Sequence, residues 1–506
     1  MNIIIQLLLL IAVLLLLVIL FFVNKYYIKT RSLMRYYENQ GITNSYYFPL
    51  VGKYKRMLDS IKEHGDCMHY YKQLLTNQPD CKFMVTNLAH NVCIYFYDLE
   101  LLNQLYKCND LVKHQFGVEI FKQVMAGLVF NEGEEHSRKR KILSQAFHYQ
   151  LLQNMIPQLS EIYDEFFARI QNKRVNDCIM MGQEIVAESI VRLFFSNSFQ
   201  GLKFKGKTMT EAVSGIIERV GSMAKSASYA LFGKICFQFG QMAKVKKDLK
   251  QIKAIYKEII TNRINSTNLE ELEHKKQKDL IDYLIQSKGI SKTESEESIT
   301  IDQIIEEFVT FQVAGLDSSG HTLGMVLYYL CIFPECKQKL IEEIEQTILT
   351  PDDLNTESIK KMKYLGAFVN EVLRYYSVAD QIFPRTCNKD IQIGDLTIKK
   401  GTQVNVGIIE NHYNPKYFKD PHQFNPMRWL DGSLDKLNSY AFNPFSSGKH
   451  NCIGQHFAIL EVKVGIIKFL QEFDLQLDPD YKFILKFSFL TEPLDPIPIT
   501  FKSKRQ

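Results

Sequence analysis

At 506 residues the chain is long enough for several average domains or one large catalytic domain, and 46% hydrophobic with 23% charged residues is a globular composition that excludes a disordered polypeptide. A net charge of +5, with no basic stripe interleaved with aromatics, gives no case for nucleic-acid binding. Ten cysteines scattered without C-x-x-C pairs exclude the disulfide framework of a small secreted domain and read as a reducing compartment.

Ile3 to Val23 is an almost unbroken run of Leu, Ile, Val and Phe, interrupted by Gln6 and Ala12. About 21 residues at 1.5 Å each cross a ~30 Å hydrocarbon core. Lys25, Lys29, Arg31 and Arg35 follow and nothing basic precedes, which predicts a single-pass anchor over residues 1–23 with the body on the cytosolic side. A cleaved signal peptide fits less well: there is no basic n-region, and the run meets Asn24-Lys25-Tyr26-Tyr27 rather than a small-residue cleavage site. Residues 24–47 read as a polar, tyrosine-rich connector, and the body, 48–506, starts at Phe48-Pro49-Leu50-Val51-Gly52.

Helical periodicity dominates the body, over 55–75, 99–105, 134–147 and 152–170. The apolar segment 221–241 reads as core, with a membrane-dipping surface element as the alternative. The charged stretches 270–279 and 288–298 read as solvated connections. Thr300 and Gln303 then form a capping box, and a helix of ~33 residues, ~50 Å long, is expected to run without interruption to Phe333 before Pro334. Its middle, Phe308 to Leu330, is apolar nearly all round and so must pass through the interior. Ala314-Gly315-Leu316-Asp317-Ser318-Ser319 interrupts it. A glycine costs a helix interior up to ~1 kcal/mol and a buried carboxylate costs more, so something must compensate. Gly315 permits close approach of a flat or bulky group, and Asp317 beside two hydroxyls is a candidate proton-conducting cluster.

In the next helix, about 357–376, Glu371 and Arg374 share one face in an apolar context and read as a buried pair. Strand signals follow at Ile391–Ile393, Leu396–Ile398 and Val404–Val406, with a Gly394-Asp395 turn. The chain then reaches Phe445-Ser446-Ser447-Gly448-Lys449-His450-Asn451-Cys452-Ile453-Gly454, where a loop becomes a helix. A thiol there feels the positive end of the helix dipole, which favours the metal-ligating thiolate. The alternative is a small buried hydrophobe.

These pieces, in this order, resemble the cytochrome P450 superfamily of haem-thiolate proteins, and the N-terminal anchor resembles its microsomal members. Phe445-x-x-Gly448-x-His450-x-Cys452-x-Gly454 resembles the haem-binding loop, Glu371-x-x-Arg374 the paired motif before it, and Ala314-Gly315-x-Asp317-Ser318 the oxygen-binding centre of the long helix. Phe424-x-Pro426-x-Arg428-Trp429 is similar to the motif whose arginine, here Arg428, completes the Glu–Arg cluster. The resemblance implies a mainly α fold with small β-sheets, a bundle around haem b (iron-protoporphyrin IX), and Cys452 as proximal ligand to iron. It further implies that Asp317 and Ser318 relay protons, and that His136, Arg140, Arg385 and His450 hold haem propionates.

Five departures from the family pattern are visible. His450 replaces an arginine, His136 a tryptophan, Ser318 a threonine, Ser377-Val378 two prolines, and the proline-rich hinge after the anchor is reduced to Pro49. The implied activity is monooxygenation of an apolar small molecule with O2, at the endoplasmic reticulum membrane, with NADPH-derived electrons from a flavoprotein reductase. Arg138, Lys139, Lys141 and Lys449 are a candidate docking face for that acidic partner, with a solvated helix face as the alternative. Pocket-lining residues are expected over 110–121, 195–241, around Val313-Ala314, and at Gln381-Ile382-Phe383. The rival readings are an oxygen-independent haem-thiolate isomerase or dehydratase and a non-enzymatic membrane-tethered haem- or metal-binding protein.

Overall fold

The computed structural model describes residues 2–88, 90–113, 120–122, 124–147, 149–195, 202–224, 240–275, 278–286, 290, 298–379, 384–487 and 490–504. Most of segment 221–241 and all of 381–383 lie outside the described residues. The chain folds into two compact units, one of residues 1–114, 381–421 and 438–442, the other of 115–380, 422–437 and 443–506.

In the first unit, helix α1 (Asn2–Val23) leaves its leucines, isoleucines and valines exposed and is apolar and long enough to cross a membrane. It continues through a π turn at Asn24–Ile28 into α2 (Lys29–Glu38). The connector expected over 24–47 is therefore helical as far as Glu38. The reason is a buried face, Tyr26, Thr30, Met34 and Tyr37, at helical spacing. The Tyr37 hydroxyl lies 2.5 Å from Thr402 Oγ1 and accepts from the Lys399 N–H at 3.0 Å, so this face is tied to the body.

The main sheet of this unit uses β1 (Asn44–Tyr46), β2 (Phe83–Leu88), β3 (Asn91–Phe96), β4 (Leu111–Lys113), β5 (Arg385–Cys387) and, after the separate hairpin of β6 (Ile391–Ile393) and β7 (Leu396–Ile398), β8 (Gln403–Val406). Its order is β1-β2-β3-β8-β5-β4, with β1–β2 and β3–β8 parallel and the rest antiparallel. The hairpin pairs Leu396 with Ile393 and turns at Gly394, whose φ is +55°. That hairpin and β8 lie where the strand signals put them. β2 and β3 went unread because both faces of each are covered, so they lack an apolar–polar alternation.

The second unit is built of helices, among them α3 (Gly133–Leu143), α4 (Cys178–Phe195), α5 (Ile301–Gly315), α6 (His321–Ile332), α7 (Lys363–Tyr375) and α8 (Gln455–Glu472), with a small hairpin of β9 (Leu485–Phe487) and β10 (Thr491–Pro493). The capping box is formed: Gln303 N–H donates to Thr300 Oγ1 at 3.2 Å, and Thr300 N–H to Gln303 Oε1 at 2.9 Å. The long helix is not uniform, however. A π turn, Leu316–Gly320, separates α5 from α6. Ser318 Oγ donates to the Ala314 carbonyl at 2.7 Å and Thr322 Oγ1 to the Ser318 carbonyl at 2.9 Å, and such back-bonding loosens the helical ladder between two glycines.

Helix α4 crosses this turn at backbone contact. A Cβ on Gly182 would fall 2.4 Å from the Gly320 carbonyl oxygen, and one on Gly320 would fall 2.7 Å from Gln183 Cα. The group admitted on the Cβ side of Gly315 is Ile190 of α4, at 2.3 Å from an added Cβ. That position opens toward a packed helix, not toward a flat ligand.

Candidate functional site

Between the ends of the long central helix, its two exposed residues are Ala314 and Ser318, while Gln312, Val313, Leu316, Ser319 and Gly320 are buried. Phe311, Ala314 and Ser318 are spaced three and four apart and so share one face. The Phe311 ring lies 5.4 Å from the Phe147 ring, and Phe147 Cε1 is 3.8 Å from where a Gly454 Cβ would sit. The accessible stripe of the helix thus faces the cysteine loop across an aromatic bridge.

The loop is shaped by its own backbone. Gly448 has φ +73° and Ser446 φ +60°, the left-handed region that a glycine occupies without strain. The Cys452 N–H donates to the Phe445 carbonyl at 2.9 Å and the Asn451 N–H to the Gly448 carbonyl at 3.1 Å. Cys452 is solvent-accessible just before α8, yet protein crowds around it. That crowding pushes its pKa above the ordinary 9.0, against the opposing pull of the Gly454 N–H and the Arg140 charge. Desolvation thus works against the thiolate that the helix end favours, and a bound metal cation would stabilise that thiolate.

The expected propionate holders divide. Arg140 donates to the Asn451 carbonyl and to Asn451 Oδ1, both at 2.7 Å, so its guanidinium braces the cysteine loop. His136 is buried, and its Nε2 lies 3.1 Å from Nδ1 of His450, whose own Nε2 is 3.6 Å from a Glu132 carboxylate oxygen. The two histidines in unusual positions therefore meet each other. Arg385 lies in β5 of the first unit, paired with Lys113 and Val404. Lys139 does not belong to an exposed basic face: it is buried, bonded to Asn131 at 3.2 Å and within 3.1 Å of Glu135 and 3.6 Å of Glu307. Lys141 and Lys449 are exposed.

On α7, Glu371 is enclosed and accepts from Arg374 Nε (2.9 Å) and Nη2 (2.7 Å), Arg428 Nε (3.2 Å), the Asn425 N–H (2.8 Å) and Trp429 Nε1 (3.0 Å). Asn425 was not among the expected residues, and Trp429 was expected in the motif but not as a donor to Glu371. Asp317 lies beside Gln183 of α4, whose Nε2 donates to Oδ1 at 3.4 Å. Burial pushes the Asp317 carboxyl up to about 6; His321 pulls it down and Glu492 adds to the rise. Gln183, His321 and Glu492 carry no short motif and are recognisable only once folded.

The cytochrome P450 family model matches residues 50–499. The chain belongs to the cytochrome P450 family. Among curated relatives it is 32% identical over 237 residues to cytochrome P450 3A13 of Mus musculus (46% of this chain, 47% of that one) and 30% identical over 245 residues to cytochrome P450 3A5 of Homo sapiens (48% of each). These matches span about half the length of those relatives. A longer one, 24% identical over 391 residues, is to cytochrome P450 3A18 of Rattus norvegicus and covers 74% of this chain and 76% of that one. Among solved structures, the haem domain of cytochrome P450DA superposes with a TM-score of 0.70 at 19% identity, covering 87% of this chain and 93% of that chain, which shows the fold. The residues present fit the family's haem: an accessible thiol, soft enough for iron, lies in a loop that Phe147 links to Phe311 on the accessible stripe of the central helix.

Proposed function

We propose that this P450 is a membrane-anchored monooxygenase that inserts one oxygen atom of O2 into an apolar small molecule, reducing the other to water with two electrons and two protons. The electrons come from NADPH through a flavoprotein reductase, and the body faces the cytosol from the endoplasmic reticulum membrane. One observation carries the reading: Cys452 is accessible in a loop that Phe147 links, through Gly454 on one side and Phe311 on the other, to the helix whose exposed residues are Ala314 and Ser318. Bound haem would supply O2 activation through its thiolate-ligated iron.

The chain's own residues do the rest. Cys452 is the ligand, held by its bond to the Phe445 carbonyl and by Arg140 bracing Asn451. The resemblance casts His136, His450 and Arg385 as propionate donors; His450 here turns Nδ1 to His136 and Nε2 to Glu132, so both of its ring nitrogens are already engaged by the protein. Asp317 and Ser318 hold the protons. The Ser318 hydrogen is donated to the Ala314 carbonyl, so the hydroxyl must turn to deliver it, and it turns more freely than a β-branched threonine would. Retention of this acid–alcohol pair favours oxygenation over an oxygen-independent isomerase.

The test is the reduced, CO-treated protein. A red-shifted Soret band is expected and is lost in Cys452→Ala; its absence from folded parent protein would sink the haem-thiolate assignment. Turnover that persists without O2 would sink monooxygenation.

A further inference from the structure

A proton used at the buried centre of the long helix has to come from water, and Asp317 is the acid placed to hand it on. What replenishes Asp317 lies on the side of the helix away from the Ala314–Ser318 stripe. His321 stands one turn beyond Asp317 and is almost fully buried. Its Nε2 is 3.5 Å from Glu492 Oε2 in β10, and Glu492 Oε1 is 3.5 Å from Lys486 Nζ in β9. Side-chain exposure rises along this series, from 6% at His321 to 26% at Glu492 and 36% at Lys486. His321 Nδ1 has no hydrogen-bond partner among the described residues, an unusual state for a buried polar atom.

The hairpin is held in register for this contact. The Thr491 N–H donates to the Val378 carbonyl at 3.2 Å, Thr491 Oγ1 donates to the Ser377 carbonyl at 3.0 Å, and the Tyr376 hydroxyl donates to the Thr491 carbonyl at 2.5 Å. These bonds place the next residue, Glu492, opposite His321.

Building on the monooxygenase reading, we propose that Glu492 and His321 form a proton path from solvent to Asp317, acting as positioning residues that recharge the acid of the site. Glu492 takes a proton from water and passes it to His321 Nε2. Starting as the Nδ1–H tautomer, the imidazole releases that proton from Nδ1 toward Asp317, across a bridging water, and is left as the Nε2–H tautomer; a flip of the ring brings the free nitrogen back to Glu492 before the next proton. No electrons move in this path; each proton consumed at the site is matched by one taken up at Glu492. The groups that face Asp317 are Gln183 from α4, His321 on its own helix and Glu492 from the hairpin, with Lys486 behind Glu492.

The test uses the haem-loaded full chain and two variants, Glu492→Gln and His321→Asn. The first is nearly isosteric and a quarter exposed, so it folds even where the buried histidine is not replaceable. With reductase, NADPH and O2, each variant is expected to yield ~10-fold less product per NADPH and correspondingly more hydrogen peroxide, because the second proton arrives late. A pair that only packs or carries charge would leave a second readout, the solvent deuterium isotope effect on coupling, at its parental value, whereas both variants are expected to enlarge it; the infrared titration of the Asp317 carboxyl in the resting protein reports whether the pair acts on that acid. His321→Asn is expected to keep that carboxyl protonated to higher pH, and Glu492→Gln to let it ionise at lower pH. Parental coupling or a parental isotope effect in both variants, or an Asp317 titration that neither displaces, overturns the proposal. A parent lacking the thiolate–CO band would instead overturn the function on which it rests.

Discussion

Glu461 lies on α8 with no exposed side-chain surface, and neither carboxyl oxygen makes a hydrogen bond among the described residues. Its neighbour Ser189 already donates its hydroxyl proton to the Ile185 carbonyl at 2.9 Å, so it offers Glu461 only lone pairs. Burial therefore pushes the carboxyl up to about 8, and the folded protein holds it as the neutral acid. In the unfolded chain it ionises near 4.5. Between those values folding takes up a proton, so this group makes stability fall as pH rises from about 4.5 to about 8 and adds no further slope above that. Glu461→Gln removes the penalty. Scanning calorimetry should show a higher Tm than the parent at pH 8, by on the order of 3 kcal/mol in stability, and little difference at pH 5. Equal gains at both pH values would mean that packing, not ionisation, is responsible. Glu371 is the opposite case: equally buried, but with five donors around it, so its charge is matched.

The crossing of α4 with the π turn sets where Asp317 points. Gly182, Gly320 and Gly324 leave no room for side chains between the two backbones; a Cβ on Gly324 would fall 2.8 Å from the Cys178 carbonyl oxygen. Elsewhere, replacing a helical glycine by alanine gains up to ~1 kcal/mol. At Gly182 the new methyl would sit 2.4 Å from the Gly320 oxygen, a backbone atom that cannot swing aside. The overlap outweighs the propensity, and Gly182→Ala should lower stability by ~1–3 kcal/mol, read as a reduced Tm. It should also displace Gln183 from Asp317, so the reduced CO-bound protein would keep its thiolate band while coupling to product falls. A parental Tm in this variant would show that the helices have slack.

For the whole chain, the boundary between anchor and body falls later than the hydropathy change. Deleting residues 2–23 removes mainly exposed apolar surface, with the Phe22 ring stacked on Tyr26 the exception, and should leave a folded body that no longer sediments with membranes. Deleting 2–38 also removes Tyr26, Thr30, Met34 and Tyr37, which are buried in the first unit, and the Tyr37–Thr402 contact. Loss of two large buried side chains alone is worth several kcal/mol, on the order of 2–5 for each, so this protein should unfold at clearly lower temperature. Equal Tm values for the two deletions would return 24–38 to the status of a connector.

The apolar run at Ile3–Val23, the Thr300–Gln303 capping box, the β6–β7 hairpin and the order of the motifs around Ala314, Glu371, Arg428 and Cys452 were legible in the sequence alone. Each depends on residues close in the chain, through periodicity, capping and turn chemistry, or on spacing that a family resemblance can match. The structure decided the rest: that Arg140 binds Asn451, that His136 meets His450, that Lys139 is internal, that the connector is a packed helix, and that a π turn breaks the long helix. Those outcomes come from contacts between residues up to 365 apart and from the balance of desolvation against pairing, which no local pattern records. The cysteine shows the division most plainly. Its neighbours in sequence placed it at the start of a helix, but only the fold brings Arg140 onto Asn451 beside it and crowds the thiol enough to raise its pKa.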